Sequence, residues 1–219
     1  MRATHSRALW IFSSLAFATP ALAGHNEVMM GGSSRALRSS SADALTAAGM
    51  DGLSMAYARD LDLEVIPKLR LWGEAGYTTG EAKGMMFDMI TTHVDMFGVT
   101  VGGRARYSVH RHVALSARVD LGSARTALSL TDGGGRKASA TGWSSIAAAA
   151  TALDLLPVEL PRFVLGVRFE LGYVAARGVE LTPRRQTTGD TLMLPVSQSS
   201  FGKLDLSGPY FGFSLISQF

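Results

Sequence analysis

The residue types needed for nucleophilic catalysis occur in two places along this chain. His93 lies two positions before Asp95, and Ser144 and Ser145 follow much later. In a Ser-His-carboxylate set the histidine takes the serine proton while the carboxylate orients the histidine. No local motif ties these four residues together, so we interpret them as polar positions near strand ends. The pattern predicts no catalytic residue.

Two other stretches carry residue types that bind ligands. His110-Arg111-His112 places two imidazoles close together, but they supply at most two metal ligands and no others lie near them. Thr131-Asp132-Gly133-Gly134-Gly135-Arg136-Lys137 is rich in glycine, yet it lacks the spacing and the following helix of a phosphate-binding loop. We therefore predict a turn and a flexible loop tip here, with no metal and no cofactor.

The most informative stretch is Phe163–Ala175, in which apolar residues occupy every second position. Successive side chains of a strand point to opposite faces, so one face is wholly apolar and the other carries Arg168 and Glu170 between glycines. The stretch satisfies the length of about 9–11 residues that a tilted strand needs to cross a bilayer. We predict a membrane-spanning strand with lipid on its apolar side and a polar barrel interior on the other.

Related stretches predict further strands of the same kind. Leu115–Gly122 matches Leu165–Gly172 in its apolar row, its arginine and its carboxylate, and Leu69–Tyr77 is a partial match. With the remaining alternating runs they indicate eight strands, near residues 27–37, 51–61, 68–78, 93–108, 112–129, 139–155, 162–177 and 207–219.

The connections between these strands alternate in length. Short ones lie at 62–67, 109–111 and 156–161, and long ones at 38–50, 79–92, 130–138 and 178–206. Short periplasmic turns and long external loops are typical of outer-membrane barrels. We predict an all-β chain that forms an eight-stranded antiparallel transmembrane up-and-down β-barrel. A soluble barrel would need an apolar interior and a polar outside, and the outward rows indicate the reverse.

The inward rows of these strands contain nearly balanced charges. An eight-stranded barrel is just wide enough for side chains to fill it, and buried charges are costly unless they are paired. We therefore predict a packed ion-pair network, with a narrow conducting path as the alternative. Its members are Arg70, Glu74, Arg104, Arg106, Arg118, Asp120, Asp154, Arg168 and Glu170.

The N-terminus has the features of a secretory signal peptide over residues 1–23, leaving a barrel domain at 24–219. Arg2 and Arg7 precede an apolar segment, and Ala21-Leu22-Ala23 forms a small-residue cleavage site. Two of the 21 basic residues and none of the 18 acidic ones lie in it, so the net charge falls from +3 to +1 (19 − 18). This charge gives no reason to expect nucleic acid as a partner. The chain has no cysteine, so its stability must come from packing and hydrogen bonds rather than disulfides.

Aromatic and basic residues indicate how the barrel meets its surroundings. Aromatic side chains fall near both predicted membrane interfaces, as girdles do: Tyr107, Phe163 and Phe219 toward the periplasm, and Tyr77, Phe97, Trp143, Tyr173 and Phe211 toward the outside. Basic residues of the last long loop are candidates for contact with lipopolysaccharide phosphates, although a solvated loop is the simpler interpretation. They are Arg177, Arg184, Arg185 and Lys203.

The C-terminus carries a family resemblance. Phe211, Phe213, Leu215 and Phe219 alternate along the last strand, with Ser217 interrupting the apolar row. The row resembles the C-terminal signal of Gram-negative outer-membrane proteins, which the barrel-assembly machinery recognises, and Ser217 departs from that signal. The chain is similar to the small barrel group that includes the OmpA transmembrane domain, OmpX and the opacity-type proteins.

This resemblance implies a place in the cell outer membrane, after export through the signal peptide. The implied partners are outer-membrane lipid, lipopolysaccharide, the barrel-assembly machinery and an extracellular protein or surface. We predict a non-enzymatic structural, adhesion or envelope-integrity role that acts through the extracellular loops. The alternatives are a small-solute pore and a lipid A-modifying enzyme.

Overall fold

The computed structural model describes residues 25–39, 42, 46–47, 49–86, 88–135, 137–160, 163–176, 178–183 and 203–219. The predicted signal peptide lies outside the described residues. Across these ranges no helix is both long enough and apolar enough to cross a membrane. The strands are β1 (Asn26–Ala36), β2 (Gly49–Ile66), β3 (Leu69–Met86), β4 (Ile90–His110), β5 (Val113–Asp132), β6 (Lys137–Leu160), β7 (Phe163–Ala175), β8 (Val179–Glu180), β9 (Thr182–Pro183), β10 (Lys203–Leu204) and β11 (Gly208–Gln218).

Eight of these strands, β1–β7 and β11, form a closed antiparallel ring in which each pairs with its neighbours along the chain. The ring closes between the first and last strands, where the backbone N–H groups of Asn26 and Phe219 each donate to the other residue's carbonyl at 3.1 and 3.0 Å. Following the register once around the ring from Arg35 leads back to His25, the residue before β1, which gives a shear of ten residues (35 − 25). Such a stagger accompanies the strand tilt of a closed barrel. The predicted fold class is confirmed.

The outward row at mid-height is an exposed apolar belt. In β7, Phe163, Leu165, Phe169, Leu171 and Tyr173 are exposed while Arg168 and Glu170 are buried, as the alternation predicts. On β5, Leu121 is 61% exposed. A continuous exposed apolar surface of this kind marks contact with a membrane. At the outer margin of the belt, the Tyr77 and Phe97 rings meet edge to face with centroids 4.9 Å apart.

The strands are longer than predicted, and the predicted long loops at 79–92 and 130–138 are wrong. β3 continues to Met86 and β4 begins at Ile90, while β5 continues to Asp132 and β6 begins at Lys137. Above the belt the outward residues become charged on β3 and β4 and mainly polar on β5 and β6, while the inward ones become mainly apolar. The strand ends were predicted from outward apolar rows, and they therefore fall where those rows end. The backbone hydrogen bonds of the two hairpins continue regardless of that change.

Candidate functional site

Glu27 is the central acceptor of a charged cluster in the half of the lumen nearest Asn26 and Gln218, which is the predicted periplasmic half. Its fully buried carboxylate contacts Arg104 Nη2 at 2.7 Å, Arg106 Nη1 at 3.1 Å and Arg168 Nη2 at 3.4 Å. Gln218 Nε2 also donates to it at 2.7 Å. The predicted set did not include Glu27, because it lies at the start of the first strand, where Val28-Met29-Met30 shows no alternation.

Asp154 forms the second acceptor of this cluster. Arg168 donates to its two oxygens, from Nε at 2.6 Å and from Nη2 at 2.9 Å, which is a bidentate fork. Arg106 Nε lies 3.4 Å from the same carboxylate. Asp154 and Arg168 are direct neighbours in the pairing of β6 with β7, so the strand register places this fork.

Arg118 joins three more carboxylates further toward the outside. Its guanidinium contacts Glu74 and Glu170 at 2.8 Å each and Asp120 at 3.3 Å. Glu74 also lies 3.7 Å from Arg104, which connects these residues to the Glu27 cluster. We call the whole connected set the inner network; it contains Glu27 and eight predicted residues, namely Glu74, Arg104, Arg106, Arg118, Asp120, Asp154, Arg168 and Glu170.

Neutral groups complete the surroundings of the buried arginines. The Met29 sulfur accepts hydrogen bonds from Arg104, at 3.3 Å, and from Arg168. The Trp72 ring lies 5.3 Å from the Arg104 guanidinium carbon, within the range of a cation–π contact. A Cβ at Gly102 would collide with the Asp120 carboxylate, so glycine makes room for the network there.

Arg70 lies apart from the inner network. Its side chain is 58% exposed and contacts Asp60 at 3.1 Å. The sequence pattern assigned Arg70 to the inward row. Arg70 is, however, the second residue of β3 and lies close to the Pro67–Lys68 turn, at the end of the barrel. Alternation assigns a residue to a face and says nothing of its depth in the barrel.

The outer half of the lumen is mainly apolar. Inward side chains of the long hairpins pack there with residues from the connecting segments, and all of them are buried. We call this cluster the outer core; it contains Met50, Ala82, Val94, Met96, Leu128 and Ala140 from the strands, and Leu37, Val179, Leu181, Leu204 and Leu206 from β8, β10 and the connections. Charged contacts thus fill one half of the lumen, and apolar contacts predominate in the other.

The candidate catalytic residues do not meet. His93 Nε2 contacts Asp95 at 3.1 Å on the outward row of β4. Ser144 pairs with Ala124 and points to the opposite face from the exposed Trp143, whereas His93 pairs with Ser129. Ser145 shares the outward face of His93 but pairs with Ser123, at a different level, so neither serine meets His93.

The two candidate ligand-binding stretches form turns. Arg111 Nε donates to His112 Nε2 at 2.7 Å, and the Nδ1 atom of His112 lies 3.0 Å from the Leu156 carbonyl. The Asp132 carbonyl accepts from the N–H of Gly135 at 2.9 Å, and Gly135 has a φ of 80°. A positive φ suits glycine, which explains its presence at this hairpin tip.

Charged side chains lie on the outside of the β3–β4 hairpin. Lys83 Nζ contacts Glu81 at 2.6 Å on β3, above the aromatic margin of the belt. The hydrogen bond and charge of Lys83 lower the pKa of Glu81, and the same contact raises the pKa of Lys83. These residues mark the part of the barrel that stands in water.

The predicted loop and C-terminal residues lie as follows. Arg177, Arg184 and Arg185 fall outside the described residues, and Lys203 contacts Glu180 at 3.1 Å across β8 and β10. The predicted assembly residues Phe211, Phe213 and Leu215 are exposed on the outward row, and Phe219 is half-buried.

Comparison with known proteins shows the fold of this chain. No protein-family model matches it, and no curated protein matches it in sequence. Neisserial surface protein A (NspA) has a TM-score of 0.50 and 12% identity, over 89% of this chain and 97% of that chain. Ail, the attachment invasion locus protein of Yersinia pestis, has a TM-score of 0.44 and 14% identity, over 90% of this chain and 98% of that chain. Ail in complex with the heparin analogue sucrose octasulfate has a TM-score of 0.43 and 13% identity, over 90% of this chain and 98% of that chain. The chain therefore has the fold of the small eight-stranded outer-membrane β-barrel proteins.

Proposed function

We propose that this protein is an integral outer-membrane barrel that acts at its external surface, in adhesion or envelope integrity, without catalysing a reaction. The observation that carries the proposal is the filled lumen. Ion pairs around Glu27 and Arg118 pack its periplasmic half, and the outer core packs the other half. Because both halves of the lumen are filled with side chains, we infer that the protein acts through its outer surface rather than through a channel.

The outer ends of β3–β6 supply that surface. The β3–β4 and β5–β6 hairpins both extend beyond the aromatic margin, and the β3–β4 hairpin carries Glu81, Lys83, His93 and Asp95 on its outward rows. At the tip of the β3–β4 hairpin, Met85 and Met89 are exposed, Met89 at 72%. A charged stem with an exposed apolar tip suits contact with a protein or cell surface.

Adhesion of cells that express Met85→Ser/Met89→Ser tests this proposal. We expect adhesion to an epithelial monolayer to fall with the amount of protein at the cell surface unchanged. The matched control is Ser129→Ala/Ser139→Ala, on the outward rows of the neighbouring hairpin. Unchanged adhesion in the tip variant, together with unchanged detergent sensitivity on gene deletion, would overturn the proposal. A mass change in lipid A on overexpression would instead favour an enzyme.

We further propose that basic residues of the last long connection contact lipopolysaccharide phosphates. Guanidinium and ammonium groups bind phosphate through charge-assisted hydrogen bonds. Replacing Arg177, Arg184, Arg185 and Lys203 with glutamine should reduce the lipopolysaccharide that co-purifies with the protein. Lys68→Gln/Arg70→Gln, at the opposite end of the barrel, is the matched control. Equal lipopolysaccharide in both variants would contradict the proposal.

A further inference from the structure

A cavity of about 90 Å³ lies inside the barrel where the inner network meets the outer core. Its walls include five serine and threonine side chains, those of Ser33, Ser54, Thr78, Thr100 and Ser214. Its charged lining consists of Arg35, Glu74, Arg118, Asp120, Arg168 and Glu170.

Arg35 differs from the other charged residues of the lining. The other five each contact an opposite charge within the inner network. Among the described residues, no carboxylate lies within ion-pair distance of Arg35, although this side chain is only 8% exposed. Its Nη1 donates to the Leu206 carbonyl at 3.2 Å and lies 3.9 Å from the Met96 sulfur, while its Nε has no hydrogen-bond partner within the part of the chain that the structure describes.

A buried guanidinium without a counter-charge is costly, because burial removes water that no anion replaces. The three carboxylates of the lining are each held by Arg118, at 2.8 to 3.3 Å. At about 30 Å³ per water, the cavity has room for a small anion and a water, with hydroxyl donors in its walls. We propose that the cavity binds a small monovalent anion, of the size of a halide or formate, against Arg35.

Crystals of the full chain grown in sodium bromide test this inference directly. Anomalous scattering at the bromine edge should place a bromide peak within about 3.5 Å of the Arg35 guanidinium nitrogens. The peak should be absent from Arg35→Gln and present in Arg125→Gln, which removes an outward-facing arginine of β5. Water density without a bromide peak in the wild type would overturn the proposal, as would a peak that persists in Arg35→Gln.

The wild-type protein also provides a test that needs no variant to fold. In lipid vesicles, the urea midpoint of unfolding should be higher in sodium bromide than in sodium gluconate at equal ionic strength. An anion that binds only the folded state stabilises it by mass action, and gluconate is too large for the cavity. Arg35→Lys keeps the charge and should retain part of the difference. Equal midpoints in the two salts would contradict a bound anion.

Discussion

The strands of this barrel reverse their pattern between the membrane belt and the outer end. Within the belt, β3 and β4 turn Tyr77, Val99 and Val101 outward while Glu74 and Arg104 are buried inside. Above it, the same strands turn charged residues outward, including Glu81 and Asp95, and bury an apolar row inside: Ala82, Val94 and Met96.

The surroundings explain this reversal. Lipid around the belt accepts apolar side chains, so the polar residues of these strands face inward, where they must pair. Around the outer end, water accepts the charged residues and the lumen fills with apolar side chains, as in a soluble barrel. The same strands therefore follow the pattern of a membrane barrel within the belt and that of a soluble barrel above it. The aromatic margin near Phe97 separates the two parts.

Breaking the inner network should have the largest effect. Glu27→Gln removes the carboxylate that three buried arginines share. Breaking one partner of a buried ion pair costs about 3–5 kcal/mol, because the remaining charges stay buried without compensation. We expect that loss in the free energy of unfolding, measured by urea titration in lipid vesicles. The control is Glu159→Gln, at a half-exposed carboxylate, which should stay within about 0.5 kcal/mol of wild type. A loss below about 1 kcal/mol in Glu27→Gln would mean that the network does not stabilise this half.

A charge on the outward row should distinguish the two levels. Val101→Lys places an ammonium on the exposed apolar belt, where such substitutions cost about 2–4 kcal/mol near the membrane midplane. Thr91→Lys, also exposed on the outward row of β4 but at its outer end, should change the free energy of unfolding by less than about 0.5 kcal/mol. Equal losses in both variants would show that the belt does not end at the aromatic margin.

The outer core should respond as the core of a soluble protein does. Leu128 is almost fully buried, so Leu128→Ala leaves a cavity and should cost about 2–3 kcal/mol. Because local opening is cheaper than global unfolding, amide hydrogen exchange should speed up first at the outer ends of β5 and β6. Uniform acceleration around the whole barrel would contradict two separately packed halves.

Alternation predicted the belt because a strand has only two faces, and lipid leaves a clear apolar row on one of them. It predicted the inward face for eight of the nine charged residues of the inner network. Alternation does not show how deep a residue lies in the barrel, so the prediction grouped Arg70 with residues well inside the lumen. Glu27 was missed because β1 carries methionines and glycines on both faces. Arg35 was missed because it lies on this same strand.

The outer halves of the hairpins were missed for a different reason. Their inward apolar residues and outward polar or charged residues are typical of a soluble barrel, whereas outward apolar rows were expected along the whole chain. The sequence contains that second pattern in Gly80–Lys83 and Thr92–Met96. A test for reversed alternation beyond each aromatic residue would have found it.

The smallest expected effect concerns the exposed pair Glu81 and Lys83. Since Lys83 lowers the pKa of Glu81, the pair stabilises the folded state above the pKa of Glu81 in the unfolded chain. That contribution is lost as the pH falls through the lower pKa that Glu81 has in the folded state. Carboxyl NMR titration should show a Glu81 midpoint that rises in Lys83→Met and stays unchanged in Lys137→Met. An unchanged midpoint in Lys83→Met would remove Lys83 as the cause.

Conductance of the purified wild-type protein in a planar lipid bilayer tests the filled lumen most directly. The same preparation should change its gel mobility on boiling in SDS, which shows that the closed barrel is folded, since a barrel without edges resists detergent until heated. With the inner network and the outer core both in place, we predict a flat baseline under applied voltage. Stable ion-conducting steps from that folded preparation would contradict the filled lumen and make the protein a pore.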